Sequence, residues 1–251
     1  MEANKVGSRR QTTMKFWVIL LISTLVGGIG GFFSQMYERS IYETAMNVRD
    51  WSISKATYIM AAVSIIILVS ALFYYFRSKR LVQEWDQEDE EMFDKIDKTQ
   101  GIALMITTIG CILTMIVFGL LMANIVNGQL ENDIILNMIG IGVFIAVNIA
   151  LTFLQRRIVD ETKKLRPEKQ GDALEVNFRK RWVESCDEQE RQKIYKAAYK
   201  AFNAGNILYM ILFIVLVIGQ VVFHLGIAPM LVLGIIWLVQ ILVYQLEAMK
   251  I

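Results

Sequence analysis

The stretch "NAGNILYMILFIVLVIGQVVFHLGIAPMLVLGIIWLVQILVYQL", residues 203–246, contains no Asp, Glu, Lys or Arg. A helix needs about 20 predominantly apolar residues to cross a bilayer, because the hydrocarbon core is roughly 30 Å thick. Some forty helical residues would extend roughly 60 Å, which is too long for one crossing. Gly226 and Pro229 interrupt the run, and proline is tolerated in the first turn of a helix. The stretch therefore predicts two membrane spans, residues 203–224 and 228–246.

Four further blocks of the sequence are long and apolar enough to cross a bilayer. The chain is 55% hydrophobic and 20% charged, whereas soluble proteins average roughly 45–50% and about 25%. None of the blocks contains Asp, Glu, Lys or Arg, as expected of helices embedded in lipid. A soluble protein with six such helices would have too little polar surface to be solvated. The blocks are residues 16–36, 56–76, 101–124 and 134–154.

These spans predict an all-α, polytopic integral membrane protein with one membrane domain, residues 1–251. Its six transmembrane helices form three hairpins, joined by cytoplasmic connectors 77–100 and 155–202 that contain amphipathic helices. Of the 26 Lys and Arg residues, all but Arg39, Arg49 and Lys55 lie in the tails or the connectors. Because basic loops stay on the cytoplasmic side, we expect a multi-pass cell-membrane protein with both termini in the cytoplasm.

The stretch "SCDEQERQKIYKAAYKAF", residues 185–202, reads as a water-soluble helix directly before the fifth span. Ser185 and Glu188 have the spacing of a capping box. Tyr195 and Tyr199 recur at helical spacing among lysines, a pattern typical of helices that lie at a membrane surface. Packing against the other connector is the equally plausible alternative.

The connector 77–100 has an apolar stripe that includes Trp85 and an acidic run, "EWDQEDEE" at residues 84–91. Such a run is usually a solvated face. The alternative is that it docks the basic "FRKRW" at residues 178–182, so that both connectors pack into a cytoplasmic cap. The candidate partner-docking residues are Trp85, Phe178, Arg179, Lys180, Arg181, Trp182, Tyr195 and Tyr199.

No catalytic motif, cofactor-binding motif or metal-ligand spacing is present in the sequence, and nothing suggests nucleic acid as a ligand. Polar residues inside the spans, notably Asn148, Gln220 and Gln240, are expected to form interhelical hydrogen bonds or, alternatively, to line a path for a neutral substrate. Small residues at four-residue spacing predict close helix packing, within one protein or in a dimer. They are Ser23, Gly27 and Gly31 in the first span and Gly142 and Ala146 in the fourth.

The stretch "RPEKQGDALEVNFRKRWVESCDEQERQKIYKAAYKAF", residues 166–202, resembles a family of uncharacterised six-span membrane proteins of Gram-positive bacteria, of the domain-of-unknown-function type. The similar features are the Pro-Glu-Lys-x-Gly-Asp turn at 167–172, the "FRKRW" segment, and "SCDE" leading to "IYKAAYK". The resemblance supplies no activity. It implies that the genes often lie near small helix-turn-helix regulators or export pumps, and hence a role in membrane stress, peptide resistance or signal relay.

Two functional hypotheses follow. The first is a non-enzymatic membrane protein that acts through a partner, such as a membrane transporter or a small regulator protein, bound at the connectors. The alternative is a transporter or export component for a small neutral or amphipathic molecule. The sequence predicts no oligomeric state.

Overall fold

The computed structural model describes residues 42–126 and 130–249, together with Met14, Trp17, Val18, Leu21, Arg39 and Ser40. Regular structure in these ranges is entirely helical, which confirms the all-α prediction. The predicted first span, with Ser23, Gly27 and Gly31, lies almost entirely outside the described residues. A helical segment at 42–54 precedes six named helices. These are α1 (Ala56–Glu84), α2 (Glu90–Val126), α3 (Leu130–Leu165), α4 (Phe178–Glu184), α5 (Glu188–Phe223) and α6 (Ala228–Ala248).

Five of the described helices are long and apolar enough to cross a membrane, with mean hydropathies of 2.0 to 2.4 over their best windows. They are α1, α2, α3, α5 and α6. Their large side chains are exposed along much of their length, as in Ile65, Ile112 and Ile235. In water this surface would be strongly unfavourable, whereas lipid tails solvate it. The chain is therefore a membrane protein.

The helices extend well beyond the apolar blocks that predict the spans. Helix α1 continues to Glu84, α2 begins at Glu90, and α3 continues to Leu165. Hydropathy marks only the part of a helix that matches lipid, while Glu, Lys, Gln and Arg continue the helix into water at little cost. The 77–100 connector thus contains only a short non-helical turn, residues 85–89.

Helices α1, α2 and α3 pack around a seam in which small or hydroxyl-bearing side chains are mixed with large aliphatic ones. Apart from Thr99, the buried positions on α2 alternate at spacings of three and four, the 3.5-residue period of left-handed helix packing. Lipid solvates leucine as well as a protein interior does, so membrane helices associate through small residues that let backbones approach. The seam positions on α2 are Ile96, Gln100, Ala103, Thr107, Gly110, Thr114, Val117, Leu121 and Asn124.

Among the described helices, the close approaches are not at Gly142 and Ala146, the small residues singled out in the fourth span. A Cβ added at Gly142 would meet nothing within 4 Å, and Ala146 is exposed among the described residues. A Cβ at Gly140 would instead lie 2.9 Å from Leu121 Cδ2. One at Gly110 would collide with Ile67.

The described residues divide into two compact units, 48–197 and 1–47 with 198–251. In the second unit, polar groups join α5 to α6. Trp237 Nε1 donates to Asn206 Oδ1 at 3.1 Å, and Tyr209 Oη donates to Gln240 Oε1 at 2.8 Å. Gly226, at φ 76°, lies in the turn between the helices, and a proline occupies the first turn of α6.

Replacing Gly110 with Ala should destabilise the bundle by about 1–3 kcal/mol, because the added methyl overpacks the contact with Ile67. Gly119→Ala on the same helix is the matched control. A Cβ there meets nothing within 4 Å, so that variant should be neutral or gain about 0.5–1 kcal/mol. Unfolding of the purified protein in mixed detergent micelles measures both. Equal effects at the two sites would show that Gly110 is not a packing contact.

Candidate functional site

The candidate site is the segment from residue 166 to residue 197, called here the connector module. It consists of an irregular turn after α3, the short helix α4, and the first turns of α5. This segment falls within the compact unit 48–197. Its fixed geometry comes from ion pairs and capping bonds, which are described in turn.

Glu190 is the centre of an ionic cluster. One carboxylate oxygen binds Lys169 Nζ, and the other accepts from Arg166 Nη1 at 3.0 Å. Arg166 Nη2 also lies 3.2 Å from Asp97 Oδ1 on α2. The cluster therefore ties the start of α5, the turn after α3, and α2 into one arrangement.

The ammonium of Lys169 is almost fully removed from water, with a side-chain exposure of 1%. It donates to Cys186 Sγ at 3.4 Å as well as to Glu190. Burial lowers the pKa of Lys169, but its hydrogen bonds to Glu190 and Cys186 outweigh that effect and hold the pKa above the usual value of 10.5. Lys169 is thus a charged lysine at neutral pH despite its burial.

The N-terminus of α5 is capped two residues later than the sequence predicts. The backbone N–H of Glu190 donates to Asp187 Oδ1 at 2.7 Å, and that of Asp187 donates to Glu190 Oε2 at 3.2 Å. This is a capping box formed by Asp187 and Glu190, so the Ser185–Glu188 prediction is wrong. Ser185 Oγ instead accepts from the backbone N–H of Gln170 at 3.1 Å, which fastens the preceding turn.

The Pro-Glu-Lys-x-Gly-Asp turn is shaped by its glycine and its aspartate. Gly171 has φ +107°, and a Cβ there would lie 3.1 Å from the Phe178 ring, so any larger residue would be strained and crowded. Asp172 Oδ2 accepts from Arg156 Nη2 at 2.7 Å, which joins the turn to α3. The backbone N–H of Leu174, and then Arg156, hold the pKa of Asp172 below its usual value of 3.8.

The acidic run at 84–91 serves the turn between α1 and α2. Asp89 Oδ1 accepts from the backbone N–H groups of Glu91 and Met92, at 2.9 and 3.1 Å, and so caps α2. Trp85 packs on Phe93 with ring centroids 5.4 Å apart, and the guanidinium of Arg166 lies 5.1 Å from the same Phe93 ring. The observed ionic link between the two connectors is Arg166 with Asp97.

The basic "FRKRW" segment forms α4. Arg181 binds Glu175 at 3.0 Å, and Lys180 lies 3.9 Å from Glu184. Phe178 and Trp182 are half-buried, with ring centroids 5.5 Å apart. Within the described ranges no ion pair joins this segment to residues 84–91.

A cleft of ≈ 840 Å³ opens between the connector module and the adjoining ends of α2 and α3. This volume is within the usual range for small-molecule sites, roughly 300–1,000 Å³. Its wall is mixed, with aromatic and aliphatic side chains beside cations. The residues that matter below are Leu104, Thr108, Val159, Arg179, Trp182 and Lys193.

The remaining predicted residues fall outside this cleft. Tyr195 and Tyr199 are each 58% exposed. Asn148 Nδ2 donates to Thr114 Oγ1 at 3.2 Å and to the Phe144 carbonyl. Gln240 bonds Tyr209 as described above, whereas the Oε1 of Gln220 is buried without a partner among the described groups.

Comparison with known proteins identifies a family. The profile described as "Protein of unknown function (DUF3169)" matches residues 10–248. The chain belongs to the DUF3169 family. No curated protein and no solved structure matches it.

The ionic cluster of this DUF3169 chain contains residues that sequence reasoning missed. Arg166, Lys169 and Glu190 lay inside the quoted motif, but spacing alone gave none of them a partner. Asp97 lies on α2, outside any motif that the sequence offers.

Replacing Glu190 with Gln should destabilise the module by about 3 kcal/mol, because Lys169 would remain buried without a counter-ion. Glu188→Gln is the control, since Glu188 is exposed in the same first turn and, among the described residues, its side chain bonds only Gln192. Its effect should stay within about 0.5 kcal/mol. The measurement is protease susceptibility of residues 166–187 in the purified protein. Similar protection in both variants would contradict a stabilising role for the cluster.

Proposed function

We propose that this protein is a non-enzymatic membrane protein that acts through a partner docked on its connector module. The observation that carries the proposal is the buried Lys169–Glu190 pair with its second cation, Arg166. Desolvating a lysine is expensive, and packing of the spans does not require it. Such a cluster instead maintains a defined surface outside the spans.

The surface that the module presents is basic and aromatic. Arg179 and Lys180 are exposed on α4, and the ring of Tyr195 is exposed on α5. Exposed aromatic and arginine side chains are enriched where proteins bind one another. A basic and aromatic surface of this kind would bind an acidic surface on a membrane transporter or a small regulator. Signal relay in membrane stress or peptide resistance is the corresponding role.

Transport of a neutral substrate through the spans is less well supported. Two of the three polar residues that suggest such a path, Asn148 and Gln240, form hydrogen bonds with side chains of neighbouring helices. Interhelical hydrogen bonding is the common use of amides in membrane helices.

A photo-crosslinking side chain in place of Tyr195 should yield one discrete protein adduct in native membranes. Adding Lys180→Glu should reduce that adduct at least about fivefold, since reversal of a charge at an interface opposes an acidic partner. The same photo-crosslinker in place of Ile211, which is 52% exposed on the apolar part of α5, is the control and should label lipid. Identical protein adducts at both positions, or none at Tyr195, would refute docking on the module.

We further propose that the module and both termini lie in the cytoplasm of the cell that makes this protein. The basic residues of the chain concentrate in the tails and connectors, and segments rich in Lys and Arg stay on the cytoplasmic side of a membrane. A membrane-impermeant maleimide applied to intact cells should label Arg49→Cys and spare Lys180→Cys, with both labelled after permeabilisation. Both positions are exposed, and labelling of the native chain provides the background. The reverse pattern would place the module outside the cell.

A further inference from the structure

The cleft beneath the connector module has an excess of positive charge. Two carboxylates line it, Asp97 and Glu190, and both are bound to cations of the ionic cluster. Arg179 and Lys193 also line it, and neither forms an ion pair within the part of the chain that the structure describes. Two cations are thus available to an anionic occupant.

The part of the same cleft that α2 and α3 form is mixed, since Thr108 and Gln155 line it beside aliphatic side chains. Its wall there includes Leu104 and Val159. Thr108 at this end is exposed, and Met105 and Ile112 lie on the same face of the helix with exposures of 54% and 55%. The cleft is therefore continuous with a surface that lipid tails cover.

The half-buried ring of Trp182 lies in the cleft lining along with these groups. Tryptophan is enriched at the level of lipid headgroups, where its apolar body and its N–H are both satisfied. The cations, the indole and the aliphatic side chains of this lining match the phosphate, the glycerol and the acyl chains of a phospholipid.

We propose that this cleft is a binding site for a single anionic phospholipid, with its headgroup phosphate near Arg179 and Lys193 and its acyl chains along α2. A free phosphate would leave the aliphatic wall unused. An acidic peptide would satisfy the cations but gives no reason for a cleft that opens onto a lipid-facing helix. The site goes beyond the partner-docking role and does not depend on it.

Native mass spectrometry of the full-length protein in detergent tests the site with defined probes. These are dioleoyl phosphatidylglycerol, dioleoyl phosphatidylcholine and inorganic phosphate, each titrated separately. We expect one phosphatidylglycerol per chain to be retained, with phosphatidylcholine bound far more weakly and inorganic phosphate unable to displace the lipid at equal concentration.

The double variant Arg179→Gln/Lys193→Gln should weaken phosphatidylglycerol binding about 25-fold, since each basic residue near a lipid surface contributes about fivefold. Lys180→Gln/Lys196→Gln is the matched control. It removes one cation from each of the same two helices, α4 and α5, at positions outside the cleft lining, and binding should be unchanged.

Three results would overturn the proposal. These are equal retention of both lipids, saturation by inorganic phosphate without any retained lipid, and equal weakening by the two double variants. Loss of the Tyr195 adduct with lipid retention intact would count against the partner alone, so the two proposals fail separately.

Discussion

The pairing of Lys169 with Glu190 is the interaction on which the connector module depends. An ammonium with 1% side-chain exposure is tolerated only if a carboxylate accompanies it, since the desolvation of an isolated charge costs several kcal/mol. Glu190 can accompany it because the same carboxylate closes the capping box of α5, which fixes its position. Arg166 then extends the cluster to Asp97. A local helix-capping motif thereby becomes the anchor of a long-range contact between connectors.

The membrane imposes a different constraint on the helices below. Hydrophobicity cannot hold helices together in lipid, so contact depends on close approach and on hydrogen bonds. The described spans use both: small residues such as Ala71, Ala103 and Gly110 lie on the α1–α2–α3 seam, and Asn124 donates to Asn137 Oδ1 at 3.1 Å. Many leucines and isoleucines are exposed, as Ile65, Ile112 and Ile235 are, although others such as Leu121 and Leu151 are buried in the bundle. The specificity of the bundle therefore resides in its least hydrophobic positions.

The sequence predicts the class and much of the helical architecture, but not the site. Runs of twenty apolar residues determine where lipid must be, so the spans from 56 to 154 are visible without a structure. Helix ends are not, because Glu84 and Leu165 are as compatible with a helix as with a loop. The cap on α5 illustrates the same limit: Ser185 and Asp187 both precede an acidic residue by three, and only tertiary contacts, here Gln170 on Ser185, select between them. Ion pairs between distant segments, such as Arg166 with Asp97, leave no local pattern.

The burial of Lys169 affects the rate at which its amine can be chemically modified. An amine-reactive reagent reaches the exposed lysines of α5 directly, but it reaches Lys169 only during moments when residues 166–187 separate from the body of the protein. The rate at which this one amine is acylated therefore counts the openings of the module. A lipid or partner that binds the module and stabilises it would lower this acylation rate.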